Sequence, residues 1–163
     1  MAVNNIQFKH TLGGLKVPKF EDVAINIYAT EDVLISPSES KVIKTGTIYE
    51  VPEGYALLVV PAKVRVHLRF ATSIVLVTSN NKEELNILVD NVLPRSPRND
   101  QTIGYFLING SYVKDYQKGY LPIDTILIQK GDCIGKAYLI KLEEATISRV
   151  PKKAQEKKDE TEE

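Results

Sequence analysis

The chain has one cysteine, Cys133, in 163 residues. An internal disulfide is therefore excluded, and a lone thiol fits a reducing compartment. In its apolar setting Cys133 reads as a structural thiol. Histidine is almost as scarce. His10 and His67 are too few and too far apart for a convincing metal site. Net charge is missing too, because 21 Lys and Arg balance 21 Asp and Glu. That balance gives no general reason to expect nucleic acid or an anionic membrane as partner. No apolar run reaches the roughly eighteen residues of a membrane helix. The opening "MAVNNIQFKHTLGG" lacks the basic-then-apolar pattern of a secretory signal. There is no Gly-rich phosphate loop of the Walker type, and no Ser-His-Asp set assembles from neighbouring motifs. These absences predict a soluble cytoplasmic protein with no cofactor and no metal.

No long stretch keeps an apolar period of 3.6 residues, so helices are not expected. What is present is strand pattern. Apolar residues make up 43% and charged residues 26%, a globular balance for one domain. "VAINIYA", "KVIKTGTIYEV", "YALLVV", "SIVLVT" and "LNILVDNV" read as strands separated by Gly, Pro and Asn. "KVRVHLRF" alternates strictly, with Val64, Val66, Leu68 and Phe70 on one face. "YFLINGSYV" sets Asn109-Gly110 between apolar arms, a hairpin signal that expects positive φ at the turn. "DTILIQKGDCIGKAYLIKL" reads as two more strands about a Gly131-Asp132 turn. Many short strands predict an all-β sandwich or barrel. The chain divides into an N-terminal segment 1–19, a β domain 20–148 and a disordered charged tail 149–163. The ending "PKKAQEKKDETEE" has only Ala154 to bury.

Several pieces, in order, resemble the trimeric dUTPases. "VAINIYA" is similar to the family's Ala-Gly-Tyr-Asp-Leu-x-Ala motif. "VIKTGTIYEVPEGYALLVVP" is similar to its threonine-glycine strand, Pro-x-Gly-Tyr turn and the strand leading to Pro-Arg-Ser-Ser. "SNNKEELNILVDN" fits the motif that ends in Tyr-Arg-Gly-Glu and a strand. In "ILIQKGDCIGKAYLIKL", Gly131, Asp132 and Ile134 match the late Gly-Asp-Arg-Ile-Ala-Gln motif. The resemblance implies a dUTPase-like β-clip or distorted jelly-roll barrel that forms a homotrimer. It implies sites between subunits for a deoxyuridine triphosphate with magnesium, where an aspartate activates water.

The resemblance also shows what this sequence has lost. The opening aspartate falls on Asn26 and the arginine on Ala62, with Lys63 and Val64 where the serines stand. The base aspartate falls on Thr78, the stacking tyrosine on Asn81 and the late glutamine on Lys136. Hydrolysis of a phosphoanhydride needs a base, cations on the phosphates and a metal. Asn26 and Thr78 are neutral, and Ala62 removes five donors. The family's Gly-rich closing arm is replaced by a tail without glycine.

Two features point to a different use. Lys63, Arg65, His67 and Arg69 form a basic stripe about 20 Å long if this segment is a strand. They form either an anion site or a solvated face beside neighbouring acids. An insertion, about residues 94–122, holds four of the eight tyrosines: Tyr105, Tyr112, Tyr116 and Tyr120. They read equally as partner contacts or as cover for their own sheet.

The function expected is a non-catalytic dUTPase-like protein, a pseudoenzyme. It binds or sequesters a nucleotide or cyclic nucleotide between subunits, through Lys63, Arg65, His67, Arg69, Asn26, Thr78, Asn81 and Lys136. The resemblance suggests a viral or phage accessory protein. The alternatives are a protein-binding or structural trimer, capsid-associated or host-inhibitory, and a divergent nucleotide hydrolase.

Overall fold

The computed structural model describes residues 5–63 and 70–151, with the backbone alone at positions 70 and 71. The elements, in order, are β1 (Gln7–His10), β2 (Phe20–Glu21), β3 (Ala24–Tyr28), β4 (Val33–Ile35), β5 (Ser40–Lys44), β6 (Thr47–Glu50), β7 (Tyr55–Pro61) and β8 (Phe70–Thr72). They continue as β9 (Val75–Thr78), β10 (Asn86–Asn91), β11 (Gln101–Thr102), β12 (Tyr105–Leu107), β13 (Tyr112–Val113), β14 (Leu121–Pro122), β15 (Ile126–Ile128) and β16 (Cys133–Lys141). A single 3-10 turn, Tyr116–Lys118, is the only helical element among the described residues. The all-β expectation holds.

Three larger sheets close on one core. Their orders are β2-β3-β16-β7-β9, β13-β12-β15-β4 and β5-β10-β8, with two small pairs, β1-β6 and β11-β14. Ile27, Ile35, Ile43, Leu57, Val59, Ile87, Val89, Ile128 and Ile134 are all essentially sealed from solvent, and they come from all three larger sheets. Alternation explains which side chains reach this core. Along β10, Ile87, Val89 and Asn91 point in, while Asn86 and Leu88 point out.

The structure revises some local readings. "KVIKTGTIYEV" is two strands, because Gly46 takes φ 67° and splits β5 from β6. β5 then pairs with β10 and β6 with β1. The strands flanking Gly131-Asp132 are not partners. β15 lies in the sheet with β4, and β16 in the sheet with β3 and β7. The turn between them is closed by Asp132 N–H donating to the Gln129 carbonyl at 3.0 Å. The Asp132 carboxylate also accepts from Gln129 N–H at 2.8 Å. It therefore passes the chain from one sheet to another. The Asn109-Gly110 hairpin is present, with Phe106 opposite Tyr112. Only Gly110 among the turn residues takes positive φ, 89°. Gly110 N–H donates to the Leu107 carbonyl, so the loop is longer than a two-residue turn.

The N-terminal segment, set apart in the sequence, joins the domain from residue 7 on through β1, which pairs with β6. The insertion joins it too, because β12 runs parallel to β15 and carries β13 at the sheet edge. The strand proposed for "KVRVHLRF" lies from position 64 to 69 outside the described residues, and with it Arg65, His67 and Arg69.

Asn91 ties the β5-β10-β8 sheet to the sheet that holds β4 and β15. It is 1% exposed, and its amide nitrogen donates to the Ile35 carbonyl at 3.1 Å and the Asp124 carbonyl at 2.9 Å. Its side-chain oxygen accepts from Leu93 N–H at 3.3 Å. Asn91→Ala strands two carbonyls away from water. The expected loss is about 2–4 kcal/mol of stability, measured by chemical denaturation. A change within about 0.5 kcal/mol would show that water or backbone movement replaces the amide.

Candidate functional site

The residues singled out by the motifs share one face of the five-stranded sheet. Strand register places Asn26, Lys136 and Val60 side by side across β3, β16 and β7. Two residues further along β16 and β7 lie Tyr138 and Leu58, with Leu76 on β9. The next row is Ile140, Ala56 and Thr78. Side chains two apart on a strand lie on the same face, so Asn26, Lys136 and Thr78 face the same way. They are not close. Four residues along and three strands across put Asn26 and Thr78 about 20 Å apart.

At the Asn26 end, the Asn26 amide donates to the Glu21 carboxylate at 2.8 Å, and Glu21 pairs with Lys19 at 3.5 Å. Lys136 is exposed. Lys63, also exposed, lies just past the end of β7 on this side. Ala62 is nearly buried, and its N–H donates to the Ile134 carbonyl at 3.2 Å. A methyl group and a used amide leave that position nothing to offer a phosphate.

At the other end, Asn81 N–H donates to the Thr78 carbonyl at 3.1 Å. The Asn81 side chain closes onto Glu83, accepting from its N–H and donating to its carbonyl. Glu84 does not face solvent as a free acid. Its carboxylate accepts from Gly46 N–H at 2.6 Å. The Thr45 hydroxyl donates to the Leu85 carbonyl at 2.6 Å, and Leu85 N–H returns to the Thr47 carbonyl at 2.9 Å. The threonine-glycine strand and the segment after Asn81 thus clasp each other. The clasp engages the Glu84 carboxylate, while Glu83 beside it is exposed.

These donors do not fit a magnesium ion. Asn26 offers one neutral carbonyl oxygen, and among the described residues no three His, Cys, Asp or Glu side chains converge. Cys133 is half-buried, and its thiol contacts the Gly135 carbonyl at 3.4 Å. Burial pushes this thiol up, so it is a poor nucleophile at neutral pH.

The tyrosines divide. Tyr105 is a correction to the partner-contact reading. It is buried at 6% exposure, and its hydroxyl donates to Asp115 at 3.1 Å within its own chain. Tyr112 is partly exposed but packs edge-on to Phe106 at 5.1 Å. Its hydroxyl lies 3.0 Å from the Thr102 hydroxyl. Tyr116 and Tyr120 are 75% and 70% exposed. They remain available to a partner.

Sequence reasoning missed a cleft of about 600 Å³. One wall is the segment 14–19 between β1 and β2, and the other includes Asn26, Tyr28, Thr47, Tyr49 and Lys130. The segment is held by Thr11 N–H, which donates to the Gly46 carbonyl at 2.8 Å. Lys16 Nζ sits 4.8 Å from the centre of the Tyr28 ring. The only sequence signal was Gly13-Gly14, a pair that lets the chain turn back over the domain.

The chain has a dUTPase-like β fold. No family model and no curated relative matches the sequence. Solved structures do match. A variant of the dUTPase from phage phi11 of S. aureus, described with a structural Mg(II) ion, superposes with a TM-score of 0.81 at 21% identity. The match covers 91% of this chain and 98% of that one. A variant of the Staphylococcus bacteriophage 80alpha dUTPase, with dUpNHpp, gives 0.82 at 20% identity and covers 92% and 98%. The phage phi11 dUTPase described for its species-specific insert gives 0.80 at 21%, covering 93% and 99%. At these identities the likeness establishes the fold.

Tyr49, 4% exposed in the cleft wall, provides a check on that wall. Burial pushes its hydroxyl up to about 12. A phenol that ionises near 10 when unfolded and near 12 when folded stabilises fully below 10. That contribution fades as pH rises through 12. Ultraviolet titration of the folded protein should show one more tyrosine still protonated at pH 11 in the unaltered chain than in Tyr49→Phe. No difference between the two would place the Tyr49 hydroxyl in free water.

Proposed function

We propose that this chain is a non-catalytic dUTPase-like protein. It binds or sequesters a nucleotide, or a nucleotide-derived signal such as a cyclic nucleotide, between the subunits of a homotrimer. The observation that carries this reading is the wide separation of Asn26 and Lys136 from Thr78 and Asn81. One subunit alone cannot present both groups to one nucleotide. A second copy completes the site. The neighbouring phage dUTPase that holds dUpNHpp supports a nucleotide as ligand. The chemistry argues against turnover, because Thr78 is no base, Ala62 no cation, and Glu84 is held by Gly46. The phage neighbours also support a phage accessory protein acting in the host cytoplasm.

Exposed apolar side chains support self-association. Val42 and Leu88 are register partners on the outer face of their sheet, 56% and 42% exposed. Ile74 and Leu76 are exposed nearby, before and within β9. Sedimentation should report three times the chain mass of 18.3 kDa. A monomer that persists at all concentrations removes the shared site.

With dUTP and magnesium, pyrophosphate release should stay at the rate without protein. Turnover near 1 per second, ordinary for an enzyme, would restore the hydrolase reading. Titration calorimetry with nucleotides and cyclic nucleotides should find a ligand below about 1 mM, roughly −4 kcal/mol. If none binds, a protein partner on the face of Tyr116 and Tyr120 becomes the better reading. Their exposure is the observation that favours it.

A further inference from the structure

We propose that the segment 11–19 is a strap that opens and closes as a unit over the cleft, and that the Glu84 carboxylate sets how often it opens. The device belongs to one chain and does not rest on the inter-subunit reading. Three observations converge.

The first is how little holds the segment. It contains no strand, and seven of its nine residues are exposed, Leu12 and Val17 among them. Among the described residues, one backbone hydrogen bond outside the strand ladders reaches it, from Thr11 N–H to the Gly46 carbonyl. The Lys19–Glu21 pair is exposed and adds little. A segment with few buried contacts and few hydrogen bonds opens far more readily than the core. Nothing crowds Gly13 or Gly14, and Gly14 takes φ 75°, which gives the strap a hinge. The second observation is a peg. Leu15 is half-buried, and it meets Gly46, which is buried with φ 67°. A β-carbon at Gly46 would lie 2.6 Å from Leu15 Cδ1 and 3.4 Å from Leu12 Cδ1. Leu15 therefore fills the notch that a side chain at Gly46 would occupy. The third is what fixes that notch. Gly46 N–H donates to the Glu84 carboxylate at 2.6 Å, and the Gly46 carbonyl is the acceptor for Thr11 on the strap. One residue carries both the tie to Glu84 and the tie to the strap. Without Glu84, Gly46 N–H is a buried donor lacking an acceptor, and relieving it moves the floor under Leu15. Closed, the strap walls in Thr45, Thr47 and Tyr49, all buried. Its far end reaches Lys19 and, through Glu21, the Asn26 amide. Opening uncovers the cleft and loosens the Asn26 end of the sheet face.

Amide hydrogen exchange on the full chain tests this without any ligand. The Thr11 amide should exchange at least about a hundredfold faster than amides of the β7-β16 ladder, because only the strap has to open. Leu15→Ala removes the peg and should speed Thr11 about tenfold. Glu84→Ala should speed it about tenfold or more, and Glu84→Gln, which keeps an acceptor, by less than about threefold. Thr11 is the reporter because its own acceptor, the Gly46 carbonyl, is present in every variant. Each rate is read as a ratio to the ladder in the same variant, so a general loss of stability does not mimic strap opening. Thermal melting confirms that the variants fold. The strap is overturned if Thr11 exchanges no faster than the ladder. Control by Glu84 is overturned if Glu84→Ala leaves the Thr11 ratio unchanged while Leu15→Ala raises it.

Discussion

A single buried amide holds two of the three larger sheets in register, β5-β10-β8 and β13-β12-β15-β4. Asn91 lies at the inner end of β10, where alternation brings it to the core face. From there it bonds the end of β4 and the turn that leads into β15. Its backbone adds two more links, donating to the Glu39 carbonyl and accepting from Ser38 N–H. A leucine in this place would fill the volume and leave those carbonyls unpaired. The core is otherwise aliphatic, and aliphatic packing alone does not choose one sheet arrangement over a slipped one. A polar group satisfied in only one arrangement does.

The strands were legible in the sequence because each obeys period two or is a short apolar run between turn residues. β10 and β7 are clear cases. The sheet membership was not legible. Gly46 reads equally well as a bulge within one strand or as the boundary between two, and only the partners of β5 and β6 decide. The Gly131-Asp132 turn looked like a hairpin because local chemistry specifies a reversal, not what the flanking strands pair with. The insertion was found by its tyrosines, but their fates were not. Tyr105 and Tyr116 have the same side chain and similar surroundings in sequence. One is buried against Asp115 and the other stands in solvent. The cleft was invisible, since it joins residues 14–19 to positions up to 131, and no short window spans that distance.

The motif residues were found by resemblance, and the structure gives them physical content. Three of the side chains in and beside these motifs are tied down by hydrogen bonds. Asn26 is joined to Glu21, Asn81 folds back on Glu83, and Glu84 holds the threonine-glycine strand. Asn26 and Asn81 are locally satisfied, while Lys63 and Lys136 stand exposed. The fold has kept its frame at about one-fifth identity with the phage dUTPases. The frame depends on burial pattern and a few polar ties, which tolerate such change, whereas chemistry depends on particular atoms.

The position of β16 has a consequence for how the chain is made. It is the last strand in sequence, yet it is an interior strand of the largest sheet, between β3 and β7. On the ribosome, β3 and β7 are complete long before their shared neighbour exists. Until synthesis passes residue 141, each has an open edge with unpaired amides and carbonyls. Two such edges can pair with each other or with another nascent chain. Insertion of β16 then requires the two strands to be held apart at the right spacing. The β5-β10-β8 sheet, finished earlier, shares the core with them and provides that template. The domain is therefore built around a gap that its own final strand fills.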